Sequence, residues 1–182
     1  MGHAIDGGLL LLRVFLGALL ASHGAQKLLG WFNGYGIEGT GGYFEMIGYP
    51  RGKIMAVLAG LTEGLGGIGL AAGLLTPIVS LAFVGLFANV AVAGHGRSFW
   101  NHNQPSGIEY PLVLGIGTGI FSLIGPGAFS VDRAFGWWLY GWGWFAASVT
   151  LGLLVGAGVL AWRRPPTPAQ EAEEDPSGRA AA

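Results

Sequence analysis

The chain has 182 residues, 52% hydrophobic and only 10% charged, against about 25% charged in soluble domains. With its 35 glycines about seven tenths of it is apolar or small, which excludes a water-facing soluble domain. Nine Lys and Arg against ten Asp and Glu form no basic stripe to neutralise phosphates, which excludes nucleic acid as a partner, and the lack of cysteine excludes disulfides, thiolate metal sites, Cys-held clusters and dithiol exchange as chemistry of this chain.

A membrane helix needs roughly 20 mainly apolar residues, fewer where the bilayer thins. Five segments meet this. The first, residues 7–29, holds Arg13, His23, Gln26 and Lys27. A cleavable signal carries positive charge before its apolar stretch and none inside it, whereas here Asp6 precedes and Arg13 lies within, so the run reads as an uncleaved helix. The second, residues 54–75, contains one charge, Glu63. A turn at Thr76-Pro77 leads into the third, residues 77–93, with Pro77 at the first helical position and Asn89 as its strongest polar group. The fourth, residues 110–125, is short and stops at Pro126. The fifth, residues 144–162, carries no charge.

Five spans place the two ends on opposite sides of the membrane. Lys27, Arg51, Lys53, Arg97, Arg163 and Arg164 fall at the ends shared with the C-terminus and only Arg133 at the other, which predicts an outside N-terminus and a cytoplasmic C-terminus in the cell membrane. Trp137, Trp138, Tyr140, Trp142 and Trp144 then make an outer aromatic belt, with Trp162 at the inner boundary. Two Gly- and aromatic-rich loops, 30–52 and 94–109, lie on the inner side, and Tyr43 to Ile47 reads as one or two helical turns at the interface. Residues 165–182, rich in Pro and acids, read as a disordered tail. Trp31-Phe32-Asn33 and Phe99-Trp100-Asn101 faintly echo each other, as two duplicated hairpins would.

In lipid, small residues carry helix association. Gly60 and Gly64, Gly69 and Gly73, Gly115 and Gly119, and Gly152 and Gly156 form such ridges, and Glu63 shares a flank with Gly60 and Gly67, pointing into the bundle. Counted from the inner helix ends, Glu63 lies about 14 Å deep, His23 about 9 Å and Asn89 about 6 Å, with Lys27 and Glu109 near the boundary. Arg13 comes out about 24 Å from the inner end, within reach of the outer interface by its long stem, and reads as an anchor.

An ionisable group at mid-membrane costs at least a few kcal/mol unless paired, wet or neutral. Glu63 therefore reads either as a proton carrier or ligand acceptor, or as a carboxyl tying helices together through Asn89, His23 or a backbone carbonyl. His23 is an interhelical hydrogen-bonding group or a ligand contact. His95 and His102 fall in a loop where solvated histidine is usual, and a haem held by His23 and His102 has no spacing motif behind it. No metal motif, nucleophile elbow, P-loop or dinucleotide fingerprint stands in a suitable context.

The run Arg13-Val14-Phe15-Leu16-Gly17 followed by His23-Gly24-Ala25-Gln26-Lys27-Leu28 resembles the first helix of the DoxX family of small bacterial membrane proteins. Gly60-Leu61-Thr62-Glu63-Gly64 with Gly73-Leu74-Leu75-Thr76-Pro77 is similar to the family's second hairpin, and Gly107-Ile108-Glu109-Tyr110 with the stretch from Gly125 to Asp132 resembles its fourth helix and closing motif. The resemblance covers about residues 7–135. It implies an all-α four-helix membrane core over 1–135, to which this chain adds a transmembrane helix within 136–164 and the tail 165–182. It also implies kinship with the small membrane subunit of a thiosulfate:quinone oxidoreductase and with members tied to oxidative-stress and thiol-redox complexes. The positions that match the motifs are Arg13, His23, Lys27, Glu63 and Glu109.

The first reading is thus a membrane subunit that binds a quinone-like or other lipidic molecule in the inner half of the bundle and supports a redox partner protein. His23, Lys27, Glu63, Asn89, Glu109 and His102 are the polar candidates, and Trp31, Phe99 and Trp100 are placed to stack on a ring at the mouth. The second is a non-catalytic scaffold that holds partner proteins through its loops. A small transporter comes last, since broken-helix pairs are missing.

Overall fold

The computed structural model describes residues 2–93, 99–100 and 107–164, and every regular element among them is helical. The helices are α1 (Gly2–Leu29), α2 (Gly36–Met46), α3 (Gly52–Ala72), α4 (Thr76–Ala93), α5 (Glu109–Ile124), α6 (Val131–Ala134) and α7 (Trp142–Ala161). His95, His102 and the acidic tail lie outside the described residues.

Four of the helices, α1, α3, α4 and α7, are long and apolar enough to cross a membrane. This is a multi-pass membrane protein. With 16 residues α5 is apolar but shorter, about 24 Å against a hydrocarbon core of about 30 Å. The loop 30–52 folds further than the sequence suggests: α2 begins at Gly36, well before Tyr43, and packs on α3.

Helix α1 lies against α3, while α4 lies against both α5 and α7; α3 and α4 touch less. The first pairing rests on backbone contact without side chains between. A Cβ on Gly24 would stand 2.4 Å from Gly64 N, and one on Gly17 2.4 Å from Gly67 O. These pairs fix an antiparallel register in which Gly24 is level with Gly60 and Gly64. Gly17 and Gly24 of α1 are not among the small pairs read from the sequence, yet both press directly on the backbone of α3. Between α4 and α7 the same device recurs: a Cβ on Gly85 would stand 2.7 Å from Gly152 O and one on Gly156 2.8 Å from Gly85 O. Ser80 Oγ donates to Thr118 O at 2.8 Å and Ser148 Oγ to Pro77 O at 2.9 Å, hydroxyl ties that substitute for the missing apolar pressure between helices in lipid.

One end of the bundle is locked by the closing motif. Gly73 ends α3 with a positive φ of 65°, and the amides of Gly73 and Leu74 turn back to Leu70 O and Gly69 O. Leu75, also at positive φ, starts the turn into α4. The Asp132 carboxylate accepts from Leu75 N at 2.7 Å, Thr76 N at 3.0 Å and Thr76 Oγ1 at 2.6 Å, capping α4 from far along the chain. Beneath this knot lies Arg13, 1% exposed, donating to Phe129 O, packed on Gly73 and within electrostatic reach of Asp132. The interfacial anchor expected of Arg13 is corrected here: the segment 125–132 folds over it, so its guanidinium never reaches the surface.

Candidate functional site

Lys27 occupies the last turn of α1, where a cation is favoured by the exposed carbonyls of the helix end. Glu63 sits midway along α3 on the flank that also buries Ala59, Gly60 and Gly67, and is 5% exposed. The α1–α3 register sets Lys27 about one turn from Glu63, and the flexible stem closes the gap: Lys27 Nζ lies 2.5 Å from Glu63 Oε2. The helix tie anticipated for Glu63 is therefore made by Lys27, not by Asn89 or His23. A buried carboxylate without such a partner costs several kcal/mol.

His23 projects one turn before Lys27, level with Glu63. Its Nδ1 is 2.9 Å from Gln26 Oε1, and Gln26 Nε2 donates to Phe32 O at 3.2 Å, which settles the amide's orientation. Nδ1 then carries the ring proton, and Nε2 is left to accept from the Tyr110 hydroxyl 3.4 Å away on α5. Asn89 on α4 joins two other parts of the bundle. Its Nδ2 donates to Gly156 O on α7 at 3.0 Å, and its Oδ1 accepts from the Tyr49 hydroxyl. Tyr49, in the turn between α2 and α3, is buried, and burial pushes its hydroxyl above the ordinary tyrosine value against the opposing influence of Arg163 and of the bond to Asn89.

These groups border one cavity of about 510 Å³ between the α1–α3 pair and the α4–α5–α7 group. His23, Lys27, Glu63 and Asn89 all face it, together with Tyr49 and Tyr110. Most of the remaining wall is aliphatic or aromatic. Trp31, Trp100 and Glu109 are not on this wall. Both tryptophans are exposed, and Glu109 stands at the first turn of α5 with its amide on Phe99 O at 3.3 Å. His102 lies outside the described residues. Of the wall's tyrosines, Tyr49 and Tyr110 are additions to the sequence reading. Each is an aromatic hydroxyl at a helix boundary, a position where one end of the ring is apolar and the other polar.

Chemically the site joins an apolar chamber to one cluster of matched donors and acceptors. The ammonium of Lys27 and the hydroxyl of Tyr110 donate, the Glu63 carboxylate accepts, and the positive and negative charges balance. Among the described residues no group of three or more His, Asp or Glu is placed to hold a metal ion.

Residues 8–96 match the family model described as DoxX. That span contains His23, Lys27, Glu63 and Asn89 and ends before the part of the wall that α5 and α7 supply. No curated protein and no solved structure matches the chain.

Proposed function

As the chain is a DoxX-family membrane protein, we propose that it binds a quinone-like or other lipidic small molecule in the cavity beside Lys27 and Glu63 and serves a redox partner in the same membrane. The observation that carries this reading is the convergence of His23, Lys27, Glu63 and Asn89, from three helices, on one largely apolar chamber of about 510 Å³, a size within the usual range of small-molecule sites. A ring oxygen beside Lys27 and Tyr110 finds donors, and a ring hydroxyl finds the Glu63 carboxylate or His23 Nε2. Proton exchange with a two-electron carrier needs one group of each type. In this reading α5 is a fifth crossing, the end bearing Lys27, Arg51, Lys53, Arg163 and Arg164 faces the cytoplasm of the cell membrane, and α7 is an addition to a four-helix core within 1–135.

Mass spectrometry and absorbance of the protein released in mild detergent test it. A co-purifying ring compound or lipid, reduced in amount by Glu63→Gln, supports the reading. Protein that carries nothing, with Glu63→Gln changing neither ligand content nor respiration, overturns it.

One observation favours a second reading. Trp31, Phe32, Tyr35 and Trp100 are all exposed, and a scaffold that holds partners through these rings needs no ligand. It expects Trp31→Ala and Trp100→Ala to break a partner complex while ligand content stays the same.

A further inference from the structure

Along the bundle axis the cavity is bordered by a packed apolar cluster at each end. Toward the α2 end, buried Tyr49, Met55 and Ala93 pack with Phe44, Ile47 and Val159 into an apolar plug. Toward the α3–α4 turn, Leu20, Leu70, Phe83 and Phe121 form the main core. Its sides are different. Leu58 of α3 and Val155 of α7 both line the cavity yet are 53% and 56% exposed. Each lies six residues in from its helix end, about 9 Å along the axis, deep enough to meet hydrocarbon. On α4, Ala82 and Gly85 line the chamber beside larger residues that include Leu81, Leu86, Phe87 and Asn89. Leu58 and Val155, exposed outside yet lining the chamber, together with the limited contact between α3 and α4, mark a lateral opening at acyl-chain depth.

Charge at the inner end then selects the head that enters. Lys27 and Glu63 neutralise one another at 2.5 Å. An anionic head reaching Lys27 meets Glu63 as a like charge, and a cationic head reaching Glu63 meets Lys27, repulsions that disfavour either sign of head. An uncharged head with carbonyl or hydroxyl oxygens accepts from Lys27 or Tyr110 and donates to Glu63 without disturbing the pair.

Resting on the cavity reading above, we propose that the occupant is an amphiphile with an uncharged, oxygen-bearing head and an apolar tail, which enters sideways from the bilayer between α3 and α7 and leaves its tail lying across Leu58 and Val155.

Photolabelling in phosphatidylcholine nanodiscs tests this. The probes are a diazirine-bearing hexadecanol and the matching fatty acid, compared at about pH 9 so that the acid is ionised. The alcohol is expected to label Leu58, Thr62, Val155 or Val159, with the label displaced by excess plain hexadecanol, whereas labelling of lipid-facing Leu65 and Leu151 is not displaced. The acid is expected to label the cavity at least about tenfold less, and Glu63→Gln, which frees Lys27, to bring the acid up to the level of the alcohol. Leu58→Trp, which leaves the ion pair untouched, should abolish displaceable labelling at Val155 and keeps the test sound where Glu63→Gln does not fold. Equal labelling by acid and alcohol in the parent protein overturns the choice of head, and label at Leu58 and Val155 that competitor does not displace overturns the side entry. If a molecule still co-purifies with the protein, cavity binding stands and only the route or the head class falls; if nothing co-purifies and nothing is displaced, both readings fall.

Discussion

Lys27 Nζ lies 2.5 Å from Glu63 Oε2, so the basic residue in the last turn of α1 neutralises the acid placed midway along α3. The lysine side chain is 25% exposed and the glutamate 6%, which makes the carboxylate the member with more to lose if the pair is split.

Removing one partner should therefore cost more than removing both. Lys27→Met leaves a buried carboxylate unpaired and is expected to destabilise by about 2–4 kcal/mol, whereas the double variant Lys27→Met with Glu63→Gln should recover most of that loss. Thermal unfolding of the four proteins of this cycle in one detergent gives the coupling directly. Additive effects would mean that the two side chains do not act as a pair.

At the opposite end the Arg13–Asp132 arrangement makes a separate prediction. Asp132 satisfies two amides and a hydroxyl at the start of α4 and lies within electrostatic reach of the buried guanidinium. Asp132→Ala strips the cap and exposes Arg13 to a site without its counter-charge, an expected loss of about 3–5 kcal/mol. Asp132→Asn retains an acceptor for the hydroxyl and should lose less. Because this knot is remote from the cavity, folded Asp132→Asn should keep the ligand content of the parent protein. A variant that folds normally but loses its ligand would show that the two ends are coupled.

How far these features were legible follows from what each depends on. Apolar runs mark the four long helices directly, and helical spacing alone set Glu63 on the glycine flank that faces inward. His23 and Asn89 were placed at similar depth by counting from helix ends, and they do face the same cavity as Glu63. Lys27 as the partner of Glu63 was not legible, because depth counting treats all helix ends as level. The Gly24–Gly64 contact shows that α3 starts well below the level of Lys27, so its ammonium reaches upward to the acid. Arg13 was misread for a related reason: distance along one helix cannot reveal that residues 125–132 fold back across its tip. Tyr49 and Tyr110 were legible only as belonging to helix boundaries, since which wall they join depends on how α2 and α5 pack.

The glycine register itself is testable by two substitutions of the same chemical size. A Cβ on Gly24 meets Gly64 N at 2.4 Å and must push α1 off α3, while a Cβ on Gly64 meets nothing within 4 Å. Gly24→Ala is expected to cost about 1–3 kcal/mol by overpacking. Gly64→Ala should be neutral or stabilising by up to about 1 kcal/mol, since alanine is the better helix former. Equal losses at the two positions would refute the pairing of these helices.

The last prediction concerns pH and the apolar plug at the α2 end of the cavity. Burial raises the Tyr49 hydroxyl above the ordinary tyrosine value, with Arg163 and the bond to Asn89 pulling it back in part. A group that holds its proton more tightly when folded stabilises the fold fully below its unfolded value and loses that contribution as pH rises through the folded one. Tyr49 should thus support the fold at neutral pH and cease to do so above about pH 10, where ionisation also turns the donor to Asn89 Oδ1 into a second acceptor. Tyr49→Phe removes the hydroxyl and leaves Asn89 without its donor, so at pH 7 it should melt lower by an amount equivalent to about 1 kcal/mol. On raising the pH the parent protein should fall toward the variant, and the gap between their melting temperatures should narrow. A gap that stays constant from pH 7 to about pH 11 would mean that the Tyr49 proton is not held more tightly in the folded protein.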